Sequence, residues 1–152
     1  SEQTLTFWKK VGAGVYFKYI MANKKILSIE DDSFLLALLS GKLATAGYQV
    51  VTATTGTEGL TKARIERPNI ILLDVMLPDI GGFEVLEKLK ADPTTQAIPV
   101  ILLSNLGGRD EINQGKQLGA ISYLIKANIV PDELAQMIET EIATTQQEAG
   151  TQ

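Results

Sequence analysis

Five short apolar runs recur along the chain, spaced so that one helix fits between each pair: "KKILSIE", "YQVVTA", "NIILLD", "PVILLS" and "AISYLIK". No other feature restricts the fold as much. A short run apolar on both faces suits a strand buried from both sides. The segments between the runs carry helical spacing. After Ser33, the residues Leu35, Leu38, Leu39 and Leu43 fall on one helical face, and Gly47 closes that helix. Further helices are expected over Thr57–Glu66, closed by Pro68, and over about Phe83–Ala91, burying Phe83, Leu86 and Leu89. A weaker one is expected over about Asp110–Leu118, and a last over Pro131–Thr144 with Leu134, Met137, Ile138 and Ile142 inward. Five such units predict an α/β fold: a doubly wound (βα)5 sandwich, its five-stranded parallel sheet covered by helices on both faces. Ligand sites in such sheets lie outside the carboxyl ends of the strands.

At 152 residues the chain can bury one real core. It contains no cysteine and no histidine. That excludes disulfides, thiolate metal sites, imidazole bases, Ser–His triads and histidine phosphorylation of this chain. Any chemistry must come from carboxylates, hydroxyls, Lys, Arg or Tyr. A net charge of −4 without a basic stripe argues against nucleic-acid binding. The first twenty residues stand apart. They carry +2, leaving −6 on the remainder, and hold Phe7, Trp8, Tyr16, Phe17 and Tyr19, five of the nine aromatics. Met21 followed by "ANKKILSIEDD" reads as a start, which makes residues 1–20 a leader or extension, with a hairpin turning at Gly12–Gly14 or no fixed structure. The apolar stretch Val11–Ala22 is too short, and too interrupted by Lys18, for a membrane span or signal peptide. The main domain is expected over residues 21–144 and a flexible tail over 145–152.

The ends of the strands carry the chemistry. Strand one ends in Glu30-Asp31-Asp32, strand three in Asp74, strand four in Ser104 and strand five in Lys126. Singly, each has a plain structural role. Asp32 or Ser33 suits a helix cap, Ser104 a loop hydrogen bond, and Lys126 a solvated strand end. If the strands are neighbours, the side chains converge. Two carboxylates about 4 Å apart repel by roughly 4 kcal/mol at an effective dielectric near 20. Such a cluster needs a cation, and oxygen-only ligands favour a hard one, Mg²⁺. Lys126 adds a second positive charge and Ser104 a donor for a phosphoryl oxygen. The set suits phosphoryl transfer with Asp74 as nucleophile.

With these residues in order, the chain resembles the receiver domains of the bacterial two-component response regulators, from about Lys24 to Thr144. The matching positions are the acidic pair Glu30-Asp31, Asp74, Ser104, Tyr123 and Lys126, with "LPDIGGFEVLEKLK" and its Gly82 between them. Ser104 follows Asp74 by 30 residues and Lys126 follows Ser104 by 22, both familiar spacings for the family. The resemblance implies a flavodoxin-like strand order 2-1-3-4-5 and a cytoplasmic, bacterial signalling protein. It implies that Asp74 accepts a phosphoryl group from the phosphohistidine of a sensor histidine kinase or phosphotransfer protein. It implies Mg²⁺ bound by Asp31 and Asp74, by Glu30 through water and by the backbone carbonyl of Met76, with Lys126 on the phosphoryl oxygens. Ser104 and Tyr123 are the implied switch pair. Through them the face built from the helix near Asp110–Leu118, the fifth strand and the last helix would report the charge at Asp74. The implied partners are proteins, not nucleic acid or membrane, and the implied state is a monomer or a phosphorylation-dependent dimer. In this picture the chain catalyses only its own phosphorylation and dephosphorylation.

Two positions depart from the family pattern. Ala127 stands where proline usually follows the lysine, so the next loop is expected to take a different path. Asn105 stands where a smaller residue usually follows the hydroxyl, and is expected to narrow access to Asp74. Three other functions compete with this one. A phosphatase or mutase working through an aspartyl phosphate needs a second acid two residues after the nucleophile, where this chain has Met76. A flavodoxin-like nucleotide binder needs a Gly/Ser/Thr-rich phosphate loop, whereas "EDDS" repels phosphate unless a metal intervenes. The third is a pseudo-receiver that binds a partner without phosphorylation, and it is the alternative that Ala127 and Asn105 sustain.

Overall fold

The computed structural model describes residues 2–12, 14–15 and 22–150, with the side chains of 4, 7, 8, 11 and 146–150 outside that description. The five apolar runs form β1 (Lys25–Ile29), β2 (Gln49–Ala53), β3 (Ile70–Asp74), β4 (Val100–Ser104) and β5 (Ser122–Ile125). All four pairings are parallel and the order is β2-β1-β3-β4-β5, as expected. The helices are α1 (Glu2–Val11), α2 (Ser33–Thr45), α3 (Gly56–Glu66), α4 (Gly82–Ala91), α5 (Arg109–Gln117) and α6 (Pro131–Gly150). A single 3₁₀ turn, Lys126–Asn128, follows β5.

Alternation along each strand divides the core in two. Leu27, Ile29, Ile71, Leu73 and Leu102 face Leu60 and Ala63 of α3 and Val85, Leu86 and Leu89 of α4. Ile26, Ile70, Leu72, Ile101 and Leu103 face Leu39 and Leu43 of α2 and Leu134, Ile138 and Ile142 of α6. β3 and β4 are buried along their whole length, which is why their sequences show no polar alternation. α5 contributes only Gly115 to the buried set. A Cβ there would lie 2.6 Å from Leu102 Cδ1 and 3.1 Å from Tyr123 Cδ2, so the glycine lets this polar helix approach the sheet.

Three expectations need correction. Glu2–Val11 is a helix, not the first arm of a hairpin. Glu2 in its first turn and Lys9 and Lys10 in its last suit the helix dipole. The second arm, beyond Val15, lies outside the described residues. The last helix does not stop at Thr144 but continues to Gly150, through the good helix formers of "QQEA". Leu38 does not share the buried face of α2: it is 48% exposed, while Leu39 and Leu43 are buried. At the other end of the sheet, Gln49 Nε2 donates to the Ala22 carbonyl at 2.8 Å and ties down the chain as it enters β1. No described helix is long and apolar enough to cross a membrane.

Candidate functional site

Strand register brings the chemical residues to one edge. Ile29 pairs with Leu73, so Glu30 follows β1 beside Asp74, the last residue of β3. Asp74 pairs with Leu103, and Ser104 with Ile125, so the next positions along this edge are Ser104 and Lys126. Glu30, Asp31 and Asp74 offer carboxylate oxygens that all lie within 4.8 Å of one another. Asp32 is not part of this group. It is the N-cap of α2, and its Oδ1 accepts from the amides of Phe34 and Leu35 at 3.0 and 3.1 Å.

Lys126 holds the cluster together. Its Nζ donates to Glu30 Oε1 at 2.8 Å and to Asp74 Oδ2 at 3.0 Å. Burial works to lower the pKa of the Lys126 ammonium, but the hydrogen bonds to Glu30 and Asp74 outweigh it and hold the group above its ordinary value. Glu30 is 1% exposed. Burial pushes its carboxyl up to about 7, against the lowering effect of Lys126 and with the charge of Asp74 adding to the rise. Its Oε1 also accepts the Asp32 amide at 3.1 Å, but its Oε2 is buried with no hydrogen-bond partner. A lone buried carboxylate oxygen is costly. Three clustered acids beside one ammonium, which binds two of them, leave the cluster short of positive charge. An orphaned oxygen beside an oxygen-only donor set fits a hard divalent cation, bound directly or through water.

Three further contacts around the site involve the backbone. Met76 donates its amide to Asp74 Oδ1 at 3.0 Å. Ser104, fully buried, accepts the Leu106 amide on its Oγ at 3.0 Å. Tyr123 donates its phenol to the Leu106 carbonyl at 2.7 Å. Ser104 and Tyr123 therefore grip the same residue of the loop after β4 from its two backbone groups. Asn105 and Ala127 are both exposed. The bond from Lys126 to Ala127 lies in the 3₁₀ turn, and no cis peptide bond occurs among the described residues.

One residue that shapes the site went unread in the sequence. Asp79, in the loop after β3, accepts the amides of Gly56 and Thr57 at 2.7 and 2.8 Å. It thereby ties the loop that carries Asp74 to the N-terminus of α3, and those hydrogen bonds hold its carboxyl well below the usual range. Its partners are more than twenty residues upstream, so only its place between Pro78 and the Gly81-Gly82 pair hinted at a role. Gly82 closes the same loop: its amide donates to the Val75 carbonyl at 2.8 Å. A Cβ on Gly82 would lie 2.2 Å from the Asp74 carbonyl oxygen.

A family model for the response regulator receiver domain matches residues 26–139. The response regulator PleD of Caulobacter vibrioides is 45% identical over 102 residues, which cover 67% of this chain and 22% of that protein. The DNA-binding dual master transcriptional regulator RpaA of Synechocystis is 40% identical over 113 residues, 74% of this chain and 47% of that one. The chain thus spans about a fifth to a half of the length of these curated relatives. Among solved structures, a CheY-like receiver domain protein from Methanospirillum hungatei superposes with a TM-score of 0.75 at 31% identity, covering 82% of this chain and 98% of that one. The BeF3-activated receiver domain of Klebsiella pneumoniae RstA superposes at 0.72 with 25% identity, covering 78% and 98%.

Proposed function

The chain belongs to the response regulator receiver family, and from that premise we propose that it is a phosphorylation-dependent switch with Asp74 as phosphoacceptor. The observation that carries the reading is the buried Glu30–Lys126–Asp74 arrangement with its orphaned Glu30 Oε2. The Asp74 carboxylate attacks phosphorus in line and becomes an acyl phosphate, while the leaving group departs toward solvent. The donor is the phosphohistidine of a sensor histidine kinase or phosphotransfer protein. Asp31 and Asp74 would hold Mg²⁺ directly, with Glu30 through water and the Met76 carbonyl completing the protein ligands. Held there, such an ion would supply positive charge to the phosphoryl oxygens. Lys126 shifts from pairing two carboxylates to pairing the phosphoryl oxygens. Ser104 gives up the Leu106 amide to donate to a phosphoryl oxygen. Tyr123, released from the same loop, turns inward, and the α5–β5–α6 face changes shape.

The test is acetyl phosphate with Mg²⁺, followed by weighing the intact protein and mapping the modified residue. The parent should gain one phosphoryl group on Asp74, and Asp74→Asn none. Neutralising Asp74 relieves repulsion among like charges, so the variant should melt no lower than the parent in metal-free buffer. A labelled Asp74→Asn protein would refute the assignment.

A further inference from the structure

Asp74 is buried at the carboxyl edge of the sheet, beside the loops that follow β1, β3 and β4. Two of those loops present apolar side chains to water. Met76 is 61% exposed and Leu106 is 43% exposed. In the unphosphorylated protein both are anchored to the site by their own backbones, Met76 through its amide on Asp74 Oδ1 and Leu106 through its amide on Ser104 Oγ, and only the Met76 attachment is independent of the switch hydroxyl. Neither side chain can accept a strong hydrogen bond.

Thioethers are the softest targets for two-electron oxidants in a chain without cysteine. Of the three methionines, Met21 lies outside the described residues. Met137, on α6, is half-buried, packed against the core and lining a cavity with Leu124, Ile129 and Leu134. Met76 faces solvent two residues from the phosphoacceptor.

We infer that Met76 is a site of oxidative modification that sets the lifetime of the phosphoryl group on Asp74. This rests on the phosphoacceptor reading above. The oxidant class is a peroxide. A sulfur lone pair attacks one peroxide oxygen, the O–O bond breaks and an S=O bond forms. Sulfur gives up two electrons, and the departing oxygen takes the proton and leaves as water or an alcohol. The apolar thioether is replaced by a strongly polar sulfoxide.

Loss of the phosphoryl group requires a water held in line opposite the leaving carboxylate oxygen. In the reduced protein Met76 and Leu106 offer that water nothing to bind. The sulfoxide oxygen supplies an acceptor at the mouth and draws water into it. A flexible acceptor is a poorer guide than a fixed base, so the acceleration is about three- to tenfold, short of the roughly 10²–10⁴-fold of a positioned general base. Methionine sulfoxide reductases reverse the change, so the device resets.

The experiment uses the full chain and hydrogen peroxide as the probe. Peptide masses followed over time should show Met76 oxidised several-fold faster than Met137. Untreated and oxidised protein are then phosphorylated with acetyl phosphate and Mg²⁺, freed of donor, and followed by intact mass. The oxidised parent should lose its phosphoryl group faster, and treatment with methionine sulfoxide reductases should restore the slower rate. Met76→Leu, compared with itself before and after peroxide, should show no acceleration. The inference is overturned if Met76 oxidises no faster than Met137. It is equally overturned if oxidation leaves decay unchanged, or if Met76→Leu accelerates as much as the parent. An untreated parent that takes no phosphoryl group on Asp74 defeats the phosphoacceptor reading itself, and the inference with it. An untreated parent that is labelled but indifferent to oxidation defeats the inference alone.

Discussion

Lys126 is shared between two carboxylates, so the charge balance of the site responds to any single substitution around it. Adding millimolar Mg²⁺ to the parent should raise its melting temperature, because an ion bound only by the folded state stabilises it by mass action. Asp31→Ala should erase most of that rise, since Asp31 is the exposed one of the three clustered acids and makes no part of the fold's core. If Asp31→Ala responds to Mg²⁺ as the parent does, the metal lies elsewhere. The side chains at the mouth give a second test. Met76→Asn combined with Leu106→Glu puts polar groups where the protein has exposed apolar ones. Loss of the phosphoryl group, measured in excess Mg²⁺, should quicken by roughly one to two orders of magnitude, reaching at most the low end of what positioned groups contribute. Decay no faster than the parent's would mean that these side chains only cover surface.

The loop between β3 and α4 is held at both of its ends. Gly82→Ala would push a Cβ into the Asp74 carbonyl oxygen and the Val75 Cα, both main-chain atoms that cannot swing away. We expect a loss of about 1–3 kcal/mol in denaturant unfolding, the usual cost of overpacking. The Mg²⁺-dependent rise should shrink with it, because the backbone that must yield carries Asp74. Unchanged stability would show that the loop re-forms without strain. The same loop marks where the sequence was legible and where it was not. The strands were readable because β3 and β4 are covered on both faces, which leaves uninterrupted apolar runs. The acids and the lysine were readable because each directly follows a strand, and parallel pairing fixes what lies beside it. Asp79 was not, since its value depends on amides brought to it by the fold. Leu38 lies outward, and because α2 is apolar nearly all round, spacing alone does not choose its inner face. Thr, Phe and Trp favour strands and so point to a hairpin arm, or to no fixed structure, where Glu2–Val11 is a helix, although the spacing from Leu5 to Trp8 suits one turn of helix.

Across the whole molecule, stability depends on groups far from the acidic edge. Tyr48 packs with α2 and α6, 6% exposed. Burial, with the charge of Glu139 adding to it, pushes its phenol up to about 12. A raised pKa in the folded state means that this contribution is fully present below the unfolded phenol's value of about 10. It is lost as pH climbs through the folded value. Thermal melts across that window should fall more steeply for the parent than for Tyr48→Phe, which has no proton to lose; parallel slopes would rule Tyr48 out as the cause. A parallel sheet also has a direction. The chain enters β1 at the rim where Gln49 grips Ala22, and every acid of the cluster sits at the opposite rim, one strand length or roughly 16 Å away. A protein anchored to a bead or sensor chip through a tag ahead of Ala22 therefore stands with its reactive edge turned outward. Immobilised in this way it should take up phosphoryl groups as fast as in free solution, whereas attachment through a cysteine placed at Asn105, unique in a chain that has no other, should slow it.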